Sequence, residues 1–149
     1  MRIFALGMAL AAATLTASCG GKSPAVHDAL AKAGLLGHWA DDCSQPAGPL
    51  DFHATFSAPA AGAGQLEFNF GDESNATIYS IQSAQQTGGG KTRLEAIDRS
   101  DGTKDEIVIL QSANRFQIYS NVQSDGHVFI KDGIMVPSGT PVNWMTRCE

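Results

Sequence analysis

A chain of 149 residues has room for one domain and a short targeting segment, and 43% hydrophobic residues suffice for one core. Ten Lys and Arg against 15 Asp and Glu leave a net charge of −5. That balance, with no basic cluster along the chain, excludes nonspecific nucleic-acid binding and electrostatic attraction to an anionic membrane.

The first element is a targeting segment. Arg2 is the only charge before Lys22, and Ile3 to Ala17 are apolar or small. A bilayer-spanning helix needs about 20 apolar residues, so the run reads as a secretory signal peptide over 1–18. Small residues are needed at −1 and −3 of a cleavage site, and cutting after Ser18, with Thr16 at −3, meets that need and leaves Cys19 first.

The stretch Thr16-Ala17-Ser18-Cys19 resembles the lipobox of bacterial lipoprotein precursors, with Ala17 and Ser18 matching its small −2 and −1 residues. Thr16 departs from the aliphatic residue usual at −3. The resemblance implies lipidation of Cys19 through its thiol and amine, and an anchor of acyl chains in a membrane. Two or more such chains hold stably where one holds marginally. Residues 19–23 would form the lipidated cysteine and tether. The tether Gly20 to Ser23 reaches at most about 14 Å, close to the membrane.

There are three cysteines, Cys19, Cys43 and Cys148. With Cys19 lipidated, an oxidising compartment favours pairing Cys43 with Cys148. Closing a loop of that size is worth about 4.7 kcal/mol by chain entropy. Losing Arg2 with the signal peptide deepens the net charge from −5 to −6.

Residues 24–149 form a helix followed by strands. Ser23 suits an N-cap and Pro24 the first helical position. Val26, Ala29, Leu30 and Ala33 then make one apolar face, and Gly34 suits the C-terminal cap. Beyond it the period falls to two. Leu66, Phe68 and Phe70 alternate with Glu67 and Asn69, and Phe116 and Ile118 repeat the form. Asp-Gly pairs at 101–102, 125–126 and 132–133 punctuate the β-prone runs as hairpin turns.

Strands are expected near 36–42, 50–57, 64–70, 76–84, 91–99, 104–111, 115–122, 127–131 and 134–137, with a last one at 142–147. The fold class is all-β: an antiparallel meander of about eight or nine strands, preceded by one short helix. Closure into a small barrel removes exposed edges and joins the first and last strands, where Cys43 and Cys148 lie. A half-open sheet or a two-sheet sandwich is the alternative.

Motifs that carry chemistry fail their spacing tests. Gly88-Gly89-Gly90-Lys91-Thr92 lacks the glycine a phosphate loop needs at 85, where Gln85 stands. His27, His38, His53 and His127 show no metal-ligand spacing. Asp41-Asp42 and Asp105-Glu106 are adjacent pairs, which a strand splits to opposite faces. No nucleophile elbow occurs. Catalytic, cofactor-binding and metal residues are therefore none.

Gly37-His38-Trp39 follows the helix and resembles the G-x-W motif that enters the first strand of lipocalin and calycin-type barrels, with Gly37 and Trp39 at the motif positions. The resemblance implies a cup for a small apolar ligand. The ends Gly37 to Cys43 and Asn143 to Cys148 also resemble those of small exported bacterial proteins. The expectation is an exported, lipid-anchored, non-enzymatic binding module of the bacterial envelope, facing the periplasm from the inner or the outer membrane. Its occupant is a small apolar ligand or a protein partner. Soluble periplasmic or secreted placement is the alternative. In function the alternatives are an inhibitor of an envelope enzyme, since periplasmic lysozyme inhibitors are similar in size and layout, and an enzyme without a recognisable motif.

Overall fold

The computed structural model describes residues 25–149; Cys19, Ser23 and Pro24 lie outside the described residues. Helix α1 (Val26–Ala33) starts with Ala25, at ψ 144°, in the cap position. It is eight residues long, shorter than the Ser23-Pro24 start would make it. Its C-terminus is closed by two backbone bonds, Gly34 N–H to Ala31 O and Leu35 N–H to Leu30 O, both 2.9 Å. These satisfy carbonyls that the helix leaves open.

Eleven strands follow: β1 (Gly37–Ala40), β2 (His53–Ser57), β3 (Gly64–Asn69), β4 (Thr77–Gly88), β5 (Lys91–Asp98), β6 (Lys104–Ser112), β7 (Arg115–Gln123), β8 (Val128–Lys131), β9 (Ile134–Met135), β10 (Thr140–Pro141) and β11 (Met145–Arg147). Consecutive strands β1 to β7 pair as an antiparallel meander, and β11 joins β7 to β1. The ring β1-β2-β3-β4-β5-β6-β7-β11 is thus a closed eight-stranded barrel. β8, β9 and β10 extend from it as a flap.

Strand β7 makes closure possible. One of its edges runs along β6 from Asp105↔Gln123 to Ser112↔Arg115. Its other edge is divided: Arg115 and Phe116 face Thr146 and Met145 of β11, while Asn121 and Val122 face Ile130 and Val128 of β8. Irregular registers between Ile81 and Ser83 and between Val108 and Ile109 sharpen the coiling of the long strands.

The meander's first strand meets its last where Trp39 faces Arg147 and Ala40 faces Thr146. The Cys43–Cys148 disulfide clamps this seam, with Cα atoms 5.5 Å apart. Cysteine pairing and barrel closure are thus one structural feature.

An eight-stranded barrel has an interior about wide enough for side chains to fill. Here Trp39, Phe56, Leu66, Ile81, Leu94, Ile107, Ile109 and Phe116 point inward and are fully buried. Each such side chain contributes about 1.5–3 kcal/mol of burial. Aromatic edges meet faces within this packing: Trp39 on Phe116 at 5.1 Å and Phe56 on Phe116 at 5.5 Å between centroids.

Helix α1 stoppers one end. Val26, Ala29 and Leu30 are buried in the core. The helix comes so close to β3 that a Cβ on Gly64 would lie 2.9 Å from Val26 Cγ1 and 3.3 Å from Leu30 Cδ1. Gln111 Nε2 donates to Ala33 O at 2.7 Å, tying the helix end to β6. No described helix is long and apolar enough to cross a membrane.

Candidate functional site

The end opposite α1 collects the strand termini near residues 40, 53, 69, 77, 98, 104 and 123. Three inward-facing polar side chains meet there. Asp105 begins the inward row of β6 that continues with Ile107 and Ile109, so the alternation that buries those two buries it as well. It is 4% exposed, and Asn121 on β7 is 8% exposed. Tyr79 on β4 lies beside them, edge-on to Phe68 at 6.3 Å between centroids.

These groups are short of partners. Asp105 Oδ1 and Asn121 Oδ1 are buried without a hydrogen bond. Most buried polar atoms in folded proteins are paired, and an unpaired one costs about 1–3 kcal/mol. Burial pushes the Asp105 carboxyl above the usual carboxylate range; the Asn121 amide opposes this, and Asp98, Asp101 and Asp125 on the rim reinforce it. Burial also lifts the Tyr79 hydroxyl to about 12, helped by the charges of Asp105 and Asp98.

The rim is acidic and ordered by its own side chains. In the β5–β6 turn, Asp98 accepts from Ser100 N and Oγ at 2.8 and 2.6 Å, and Asp101 accepts from Thr103 N at 2.8 Å. In the β7–β8 turn, Asp125 accepts from His127 N at 2.8 Å. Asp105 and Glu106 take opposite faces, as a strand requires, and Glu106 pairs outward with Arg93 at 3.5 Å.

A concavity of about 720 Å³ opens alongside, at the ends of β5 to β7; Gln82, Glu95, Lys104, Asp105, Glu106 and Val122 are among the residues that line it. A smaller one of about 220 Å³ lies beside the β4–β5 hairpin, next to Gly88, Gly90 and Lys91. The glycines of the rejected phosphate-loop stretch form that hairpin's turn.

The sequence motif residues sit at the stoppered end. Gly37 has φ +127°, and a Cβ there would lie 3.2 Å from Arg147 Nη2. Trp39 is 2% exposed and donates from Nε1 to Leu35 O at 2.9 Å. The Arg147 guanidinium lies over the indole and donates to the carbonyls of Leu36 and Gly34. Gly37 and Trp39 therefore belong to the barrel's closed end, next to the C-terminus of α1.

The four histidines separate into distinct settings. His27 binds Ala58 O at 3.0 Å, and His127 packs edge-on to Phe129. His38 and His53 come together on the outer face of β1 and β2, with Nε2 of His38 2.9 Å from Nδ1 of His53. Burial, then the neighbouring His53, lowers the His38 pKa below its ordinary value. Among the described residues, no three or more His, Cys, Asp or Glu gather so as to hold a metal ion.

Sequence reasoning missed the mouth cluster and the histidine pair. Both join residues on different strands, and only the strand register reveals them. Comparison with family models, curated proteins and solved structures finds no match.

Proposed function

We propose that this chain is an exported, lipid-anchored, non-enzymatic binding module of the bacterial envelope that takes its ligand at the open mouth of the barrel. One observation carries the reading of the mouth. Apolar side chains and α1 fill the barrel, whereas Asp105 and Asn121 keep buried acceptor atoms with no partner in the fold. A ligand with hydrogen-bond donors, above all a small organic amine or guanidine, would satisfy both atoms and the negative rim of Asp98, Asp101 and Asp125.

Export is supported by the signal-like first 18 residues and by the disulfide, which oxidising compartments preserve. Anchoring rests on the lipobox-like stretch ending in Cys19. The G-x-W resemblance supports a barrel whose closed end is structural and whose open end receives the ligand.

Native mass spectrometry of the protein taken from its own membranes tests both halves. The expected species begins at Cys19 with diacylglyceryl and acyl mass added, and it carries a small basic molecule that Asp105→Asn loses. A mature N-terminus other than acylated Cys19 overturns the anchor. Failure of a panel of amines to shift the amide resonances of β6 and β7 overturns the mouth.

A second reading draws on the same rim. An acidic ring of loops would associate favourably with a basic envelope enzyme such as a lysozyme. Muramidase inhibition at micromolar protein, lost when Asp98, Asp101 and Asp125 are changed together to Asn, would establish it.

A further inference from the structure

We infer that His38 and His53 form a surface site for a late first-row divalent metal ion, with copper(II) foremost, at the outer face of β1 and β2. The site is separate from the mouth and independent of the function proposed for it.

Strand pairing places the two rings. His38 lies opposite Thr55, and His53 lies opposite Ala40 two residues along the same ladder. Outward alternation puts both imidazoles on the same side, away from buried Trp39 and Ala54. The rings meet at 4.8 Å between centroids with planes 71° apart, so they converge by their nitrogens and do not stack.

The nitrogen separation suits a bridging ion. Two imidazole nitrogens each about 2.0–2.1 Å from a metal, at about 90–109° to one another, stand about 2.9–3.4 Å apart. Nε2 of His38 and Nδ1 of His53 are 2.9 Å apart. An ion can replace the shared proton with little movement of either ring.

The surroundings hold the required lone pair in place. His38 Nδ1 is 3.1 Å from Thr55 Oγ1. With Nδ1–H donating to that hydroxyl, Nε2 of His38 is bare and faces His53. Such an outer partner fixes tautomer and ring orientation in metal sites.

No carboxylate joins the two imidazoles: among the described residues, no three or more His, Cys, Asp or Glu gather so as to hold a metal ion. Glu67, opposite Thr55 on β3, accepts from Gln65 Nε2 at 3.2 Å. Asp51, two residues before His53, accepts from Asp42 N–H through Oδ1 at 3.3 Å, and its Oδ2 is buried without a partner. Water would therefore fill the remaining positions. A two-imidazole, water-completed site binds in the order of imidazole affinity, which peaks at copper(II).

Copper(II), nickel(II) and zinc(II) titrations of the purified full chain test this. The expected result is one copper(II) per chain, with a paramagnetic resonance spectrum showing two coordinating nitrogens. Nickel(II) and zinc(II) should bind more weakly. His38→Gln and His53→Gln should each abolish the tight step. Thr55→Val should weaken it by about tenfold while keeping the two-nitrogen spectrum. His27→Gln and His127→Gln should leave it unchanged.

Binding of copper(II) by the His38→Gln/His53→Gln double variant at wild-type affinity overturns the site, as does no binding by wild type. If the double variant misfolds, nitrogen NMR of the wild type decides. Added zinc(II) must move His38 Nε2 and His53 Nδ1 and leave His27 and His127 in place; any other pattern overturns the assignment.

Discussion

Arg147 spans the barrel seam by lying over Trp39, its Cζ 5.4 Å from the ring centroid. The same guanidinium donates to the carbonyls of Leu36 and Gly34, just after α1. One side chain of the last strand therefore joins the first strand, the helix end and the indole. Its own strand β11 has three residues, so this side chain and the adjacent Cys43–Cys148 disulfide share the work of holding the seam in register.

Replacing Arg147 by Ala should cost about 1–2 kcal/mol, the loss of a cation–π contact and charge-assisted hydrogen bonds at a partly exposed site. Arg147→Lys should recover less than half, because an ammonium cannot reach two carbonyls in the planar fork a guanidinium provides. Urea unfolding followed by tryptophan fluorescence measures both. Equal stability of wild type and Arg147→Ala would refute this role.

Reduction of the Cys43–Cys148 bridge should destabilise by about 2–4 kcal/mol, given its 105-residue separation. The loss should appear first at the seam. Hydrogen exchange in Cys43→Ser/Cys148→Ser should accelerate at Met145 to Arg147 and Gly37 to Ala40 before it does in β4 to β6. Uniform acceleration over the whole barrel would contradict a local seam.

The chain holds two tyrosines, and both are kept protonated beyond their ordinary range. Burial lifts Tyr79 to about 12, and the adjacent Asp132 carboxylate raises Tyr119. Phenolate absorbance at 295 nm should therefore develop little at pH 10 and rise only at higher pH. Because Tyr79 is raised in the folded state, its contribution to stability is complete below pH 10 and lost as pH climbs toward about 12. Asp105→Asn should lower the Tyr79 value by removing a neighbouring charge. An ordinary titration of both residues near pH 10 would rule this out.

Asp105 gives the opposite end of the pH scale. Its folded-state pKa is raised by burial, so ionisation favours the unfolded chain. The penalty is absent below the ordinary carboxylate pKa and grows as pH rises through the elevated value. Asp105→Asn should thus be more stable than wild type at pH 7, by about 1 kcal/mol and a few degrees in Tm. The gain should vanish near pH 3. A variant less stable than wild type at both pH values would show that the carboxylate is paired.

Much of the barrel is readable from alternation. Leu66 and Phe68 against Glu67 and Asn69, and Ile107 and Ile109 against Glu106 and Val108, mark strands because one face is buried and the other is not. Boundaries fare worse where polarity hides pairing. The expected strand at 76–84 runs on to Gly88, because Gln85, Gln86 and Gly88 pair through their backbone with β5 whatever their side chains. The strand expected from 50 begins at 53, since Leu50 is 93% exposed and Asp51 turns back to bond Gly48.

The expected strand at 142–147 shrinks to β11, and the flap gains the short β10 at Thr140–Pro141. Function was less legible than fold. Asp105 and Asn121 are 16 residues apart, and His38 and His53 are 15 apart. Register across strands, which no spacing rule encodes, brings each pair together.

The division of β7's second edge between β11 and β8 has a consequence for behaviour in crowded solution. Because both halves are occupied and the ring closes through β6, the ladder terminates in β10, the outermost strand. That strand is two residues long, and one of them, Pro141, has no amide hydrogen to offer an incoming chain. Fibril-type stacking of neighbouring molecules is thereby denied its usual template, whatever surface or density brings the copies together.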